Sequence, residues 1–421
     1  MSSLFSEWPR DSIAQICAPK GQHLFDNSIC SKYYSLGPEE LTKIFPLSLV
    51  KREQYRLEGA TTNYTTKDSE LRGVARVIKN SKRTVKKALA SFLHSRGFLY
   101  PVDGKISTSL RLFIDDFAPD IVFSVPAEYA LITLTRRIGE ELSIPIAVQV
   151  FDNWMPTHYK KGIYALYKRS QLKKELQVLF DIAVLRFGIS ELMCESYQKH
   201  YGLPFLPLPV GVDIDRWYKS LEKRAKAVEP YKILYAGSIN QQAAFYGLAD
   251  MSRAAELLNK NSAKVNFFIC SPEELTYSQK SMIGGKFTEF SVETNHNKLI
   301  ERVQSADLLF LPVNFSKKNQ EFIKYSLPAK VAAYMASGTP MIVYAPKHYP
   351  VSIEARQYGF AEVVNKQEAY ELAATMIDLL NDEGRRFAIS RLALNHAKEK
   401  YDISRMVNEV RQRFCDEIIQ S

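Results

Sequence analysis

The chain has no apolar run approaching the about 18 residues that a membrane span requires, and its first ten residues, MSSLFSEWPR, lack the basic-then-apolar order of a secretory signal. Its five cysteines, at positions 17, 30, 194, 270 and 415, show no paired spacing. That argues against a disulfide framework or a structural zinc, and for a reducing, cytosolic setting. Internal repeats and low-complexity tracts are missing as well. Acidic residues are absent from positions 71–100, where eight Lys and Arg stand. What remains is a globular chain of 421 residues, 46% of them apolar, long enough for two domains with separate cores. The net charge of +10 suits anionic partners, but no nucleic-acid fold motif accompanies it, so nucleic acid is not expected.

Short apolar runs alternate with amphipathic stretches through most of the chain. Strands are predicted at 13–18 (IAQICA), 120–125 (DIVFSV), 145–151 (PIAVQVF), 180–187, 231–236 (YKILYA), 264–270 (KVNFFIC), 287–290, 306–313 (ADLLFLPV) and 341–344 (MIVY). Helices are predicted at 110–117, 128–142, 190–201, 243–259, 297–306, 369–380, 384–401 and 405–419. Such alternation gives an α/β class with two Rossmann-like, doubly wound domains facing across a cleft. Residues 1–8 look like the end of a helix. A doubly wound domain ordinarily opens on a strand and a glycine-rich turn. The expectation is therefore that a first strand and its glycine loop are missing here, through a late start codon or a truncated product.

Two stretches carry the positive charge. In 71–93, Arg72, Arg76, Lys79, Arg83 and Lys87 fall on one helical stripe and Val74, Ile78, Val85, Leu89 and Phe92 on the opposite one. This basic amphipathic helix could rest on an anionic membrane surface or simply present a solvated face. Both readings stay open, as they do for 159–174 (YKKGIYALYKRSQLKK), where tyrosines interleave with lysines.

The most informative stretch is 326–346, SLPAKVAAYMASGTPMIVYAP, read as a helix entering a strand. Pro328 suits a first helical turn and Gly338 the position just past a helix end. The loop 314–327 then lies at the carboxyl end of a strand, where open α/β sheets bind ligands, and Lys330 adds a cation at the helix start. A helix dipole disfavours lysine there, so a bound anion is one reading and an ordinary solvated lysine the other.

The wording of this stretch resembles the donor-site motif of family 4 glycosyltransferases, retaining enzymes of the two-domain GT-B fold. Tyr325, Ser326, Leu327 and Pro328 match its first part; Ala333, Tyr334, Met335, Ala336, Ser337, Gly338, Thr339 and Pro340 match its second. A sub-group common in surface-polysaccharide loci is closer still. Two glutamates of the family pattern are replaced, by Tyr325 and Ala333. The family uses them as ionised acceptors for the donor sugar and the nucleotide ribose, a task a phenol or a methyl cannot perform.

The resemblance extends to other segments. Ser190, Glu191 and Met193, with Gly211, Val212 and Asp213, are similar to two further family motifs, although Val210 replaces the asparagine of the second, and Gly237 is similar to the glycine that lets the backbone approach a diphosphate. A basic pair often follows that glycine, where this chain has Gln241 and Gln242. Asp152 and Asn153 follow a strand as a similar pair does in the sub-group; Asp152 would hydrogen-bond a substrate hydroxyl or cap the next helix.

The implied organisation is an acceptor-side domain at 1–215, a donor domain at 216–400, and a helix at 401–421 crossing back to the first domain. The implied donor-binding residues are Gly237, Ser238, Ser271, Tyr325, Ser326, Leu327, Pro328, Ala329 and Lys330, with Asp152 and Glu321 as catalytic candidates. The implied activity moves a sugar from a nucleotide-diphosphate donor to a bacterial surface glycan, on a lipid carrier at the inner membrane face, without metal or other cofactor. Two rivals remain: a catalytically impaired relative serving as a binding or assembly partner, and a sugar-nucleotide epimerase.

Overall fold

The fold is that of a computed structural model, which describes residues 2–17, 29–43, 102–153, 165–218, 227–239, 244–261, 263–316, 321 and 323–420. The basic stripe at 71–93, residues 159–164, Gln241 and Gln242 lie outside the described residues.

In the first half, β1 (Ala14–Cys17) pairs in parallel with β2 (Lys32–Ser35), and β3 (Leu41–Lys43) antiparallel with β4 (Val102–Gly104). A parallel sheet follows, β5 (Val122–Ser124), β6 (Ile146–Val150), β7 (Leu185–Gly188) and β8 (Leu206–Pro207), in that spatial order. In the second half a six-stranded sheet is built from β9 (Tyr231–Ala236), β10 (Val265–Ser271), β11 (Thr288–Val292), β12 (Leu308–Pro312), β13 (Met341–Tyr344) and β14 (Glu362–Val364). Its order is β11-β10-β9-β12-β13-β14, with every neighbouring pair parallel. This is the 3-2-1-4-5-6 arrangement of a doubly wound sheet, whose winding reverses between β9 and β12.

The apolar runs are continuous because both faces of the second sheet are covered. Ile233, Phe267, Phe310 and Ile342 pack on one side; Leu234, Leu309, Leu311 and Val343 pack on the other. Alternate residues thus serve different cores, as period-two geometry requires. Helix starts are set by capping side chains: Ser107 accepts from the Leu110 amide, Ser190 from Met193, and Asn295 from Asn297 and Lys298.

Several expectations are corrected. Residues 180–182 belong to the helix Ala165–Ile182 rather than to a strand, because Leu172, Leu176, Leu179 and Phe180 form one fully buried helical face. The strand there is only β7. Residues 2–5 form a single 3-10 turn, with Phe5 edge-on to Phe123 at 5.4 Å. The motif helix is Lys330–Ala336, so Pro328 precedes it instead of occupying its first turn; its carbonyl accepts from the Val331 amide at 2.9 Å. The short helices Tyr277–Ile283 and Pro350–Tyr358 and the strand β14 were not predicted.

The chain passes between the halves at two places that hydrogen-bond to each other: Val212 N–H donates to the Tyr401 carbonyl at 2.7 Å, and Ile403 N–H to the Val212 carbonyl at 3.0 Å. Beyond them, the helix Ile403–Gln420 lays Met406, Val407, Val410 and Phe414 against Leu4, Ala147, Leu185 and Phe187. No helix among the described residues is long and apolar enough to cross a membrane.

Candidate functional site

Doubly wound sheets place ligands outside the carboxyl ends of the strands at the switch point, here between β9 and β12. β9 runs into Gly237, whose φ of +143° and bare Cα both matter. A Cβ added there would lie 2.5 Å from Lys330 Nζ and 2.9 Å from its Cε. Only glycine lets the lysine chain cross the end of the strand.

Lys330 crosses because its helix is fixed from below. Val331, Ala332, Met335 and Ala336 are buried in the core beneath the sheet, and Gly338, at φ +69°, lets the chain turn into β13. Tyr334 ties this helix to β9: its hydroxyl accepts from the Ala236 amide at 2.7 Å and donates to the Ala236 carbonyl at 3.1 Å. The Lys330 ammonium donates to the Tyr235 hydroxyl at 2.6 Å and sits 3.9 Å from the centre of that ring. Tyr235 in turn donates to the Ser238 carbonyl at 2.6 Å. Burial lowers the Lys330 amine to about 7, and burial drives the Tyr235 and Tyr334 phenols well up, so both stay neutral. No carboxylate among the described residues offsets the cost of the lysine's charge.

The loop after β12 meets the first half of the chain. Asn153, just beyond β6, donates its side-chain amide to the Glu321 carbonyl at 2.8 Å. Asp152 accepts from the Ser326 hydroxyl at 2.6 Å; burial raises its carboxyl and this bond opposes the rise. Ser190, beyond β7, donates to the Tyr325 carbonyl at 2.6 Å. Nearby, Lys400 spans Glu191 at 3.0 Å and Glu354 at 3.1 Å.

The fold therefore brings Gly237, Ser238 and Lys330 together, and it joins Asp152 of the first half to Ser326 of the second. Ser271 is buried at the end of β10, where its hydroxyl accepts from the Glu273 amide at 3.2 Å. Leu327 is buried, and Pro328 and the exposed Ala329 carry the loop into the helix. Glu321 keeps an exposed side chain at the start of this loop segment. Tyr235 and the donor role of Ser190 escaped the sequence reading, and Asn153 was noted there only for its place after a strand; a tyrosine two residues before a glycine turn was the available sign for the first. Among the described residues no group of three or more His, Cys, Asp or Glu could hold a metal ion.

Residues 219–396 match the family model described as glycosyl transferases group 1. No curated protein matches the sequence. Among solved structures, sucrose-phosphate synthase from Thermosynechococcus elongatus superposes with a TM-score of 0.55 at 12% identity, over 78% of this chain and 82% of that one. HepE from Anabaena, in complex with UDP-glucose, gives 0.54 at 12% identity over 78% and 89%. A UDP-forming alpha,alpha-trehalose-phosphate synthase from Burkholderia xenovorans gives 0.51 at 13% over 74% and 80%. At such identities the likeness is one of fold, the two Rossmann-like domains described above.

Proposed function

We propose that this chain, whose residues 219–396 match the family model described as glycosyl transferases group 1, moves a sugar from a nucleoside-diphosphate donor to a glycan hydroxyl. The observation that carries this reading is Lys330 laid over Gly237 at the switch point of the second sheet. A diphosphate at that place would receive the lysine's charge and the backbone amides after β9, which is electrostatic stabilisation of a developing anion. The C1–oxygen bond to the diphosphate breaks, the acceptor oxygen bonds to C1, and the acceptor's proton leaves with the nucleoside diphosphate. Lys330 supplies the charge in this scheme, and no metal is invoked.

UDP is the proposed donor nucleotide, since solved structures of similar fold are a UDP-glucose complex and a UDP-forming synthase. Retention of configuration, a lipid-carried surface glycan as acceptor, and contact with an anionic membrane through 71–93 belong to the same proposal. They rest on the resemblance of the motifs around Pro328 and on charge pattern. Asp152 is the carboxylate offered by the first half at the cleft, bonded to Ser326. A second reading, an impaired relative that binds without transferring, is favoured by Tyr325 and Ala333 standing where the family has glutamates.

Thermal unfolding with and without millimolar UDP, GDP, CMP and their sugar conjugates tests the proposal. A ligand at about 100 times its dissociation constant adds roughly 2.7 kcal/mol. A shift with UDP conjugates supports it, and no shift with any nucleotide overturns it. Sugar transfer to an acceptor separates the first reading from the second.

A further inference from the structure

A serine hydroxyl has one hydrogen to donate and lone pairs to accept with, and Ser190 uses both. On the accepting side it takes the Met193 amide at 3.1 Å, which caps the helix Glu191–Tyr201. On the donating side it reaches the Tyr325 carbonyl at 2.6 Å, across a sequence separation of 135. Capping needs only the first bond. The second fixes the peptide between Tyr325 and Ser326, on the approach to the Lys330 helix. Asn153 does the same earlier in the segment, at the Glu321 carbonyl, and Asp152 receives the Ser326 hydroxyl. Three bonds from two neighbouring strand ends of the first domain thus land on residues 321–326 of the second. Ser190 and Asn153 are both buried, so water competes little for these bonds.

We propose that Ser190 is a positioning residue for the donor loop: with Asn153 and Asp152 it holds residues 321–326 in the shape that receives the nucleotide sugar. Closing the cleft and shaping the donor site are then one event, and the first domain controls affinity for a ligand held by the second. This rests on the donor-site reading given above.

The test separates capping from positioning. Glycine at an N-cap position serves a helix nearly as well as serine, carries no charge that would repel a diphosphate, and cannot donate to Tyr325. Ser190→Gly is expected to unfold at a midpoint only modestly below wild type and to bind UDP-glucose about 3- to 10-fold more weakly, because the loop freed by the loss of the bond must be reordered on binding. Hydrogen exchange of the amides at 325–327 is expected to quicken in the unliganded variant. Ser190→Thr keeps both bonds and should restore wild-type affinity within about twofold. Asn153→Ala, which removes a carbonyl contact and no cap, should weaken UDP-glucose in the same direction. Wild-type affinity and exchange in both Ser190→Gly and Asn153→Ala would overturn the positioning role while leaving the donor reading intact. Failure of the wild-type protein to bind any nucleotide sugar would remove the donor reading, and this proposal with it.

Discussion

Lys330 offers the sharpest prediction, because one side chain is asked to lower stability and to supply function. Its amine titrates at about 7 in the fold against 10.5 for a free lysine. At pH 7 that difference costs the folded state roughly 4 kcal/mol by proton linkage. Lys330→Met keeps an unbranched stem in the crossing over Gly237, removes the charge, and forfeits the bond to Tyr235 and the contact with its ring, together about 1–2 kcal/mol. The variant should therefore be more stable than wild type by about 2–3 kcal/mol in urea unfolding at pH 7 without ligand.

The pH dependence fixes the cause. Between the two titration points the unfolded chain holds more protons than the folded one, so wild type gains stability as pH rises above 7. The variant has no such gain. Its advantage should shrink by about 2 kcal/mol between pH 7 and pH 9. In the opposite direction, Lys330→Met should lose the stabilisation by UDP-glucose, and wild-type affinity for UDP-glucose should fall by up to about tenfold per pH unit above 7 as the amine loses its charge. A variant less stable than wild type at pH 7, or a difference indifferent to pH, would refute the buried-charge account. Undiminished UDP-glucose binding by the variant would refute the phosphate role.

Other expectations follow from the same contacts. Gly237→Ala drives a methyl to within 2.5 Å of the Lys330 ammonium at a φ of +143°, so it should abolish nucleotide-induced thermal shifts and cost at least about 1 kcal/mol in unfolding. Glu354 accepts from His396 at 2.7 Å, Tyr401 at 2.6 Å and Lys400 at 3.1 Å, and although burial opposes it, these partners hold its carboxyl below the usual range. Glu354→Gln should cost about 2–4 kcal/mol at pH 7. Because the carboxylate's contribution is lost as pH falls through its folded value, that penalty should shrink in acid, as urea titrations at pH 7 and pH 4 would show. Phe414→Ala, which empties the contact between the last helix and the first domain, should cost about 3–5 kcal/mol by the same assay.

Much of the fold was legible in local pattern. β9 and β13 are the runs YKILYA and MIVY residue for residue, since a strand covered on both faces is apolar over its buried length and ends where turn residues begin. Ser190 announced a helix start and Gly338 a helix end, both by chemistry confined to one turn. The run at 180–182 misled because a short apolar stretch fits a strand or one buried helical face equally well, and only packing decides between them. By itself, then, the sequence determined the type of most long elements, the glycine at the turn after β9 and the lysine at the motif helix. The tertiary structure alone decided the rest. Strand order set Gly237 beside Lys330, the bare Cα let the amine reach Tyr235, and the close approach of the two halves brought Ser190 to Tyr325. Those are contacts between residues far apart in the chain, and no local periodicity encodes them, because they exist only once two cores are packed against each other.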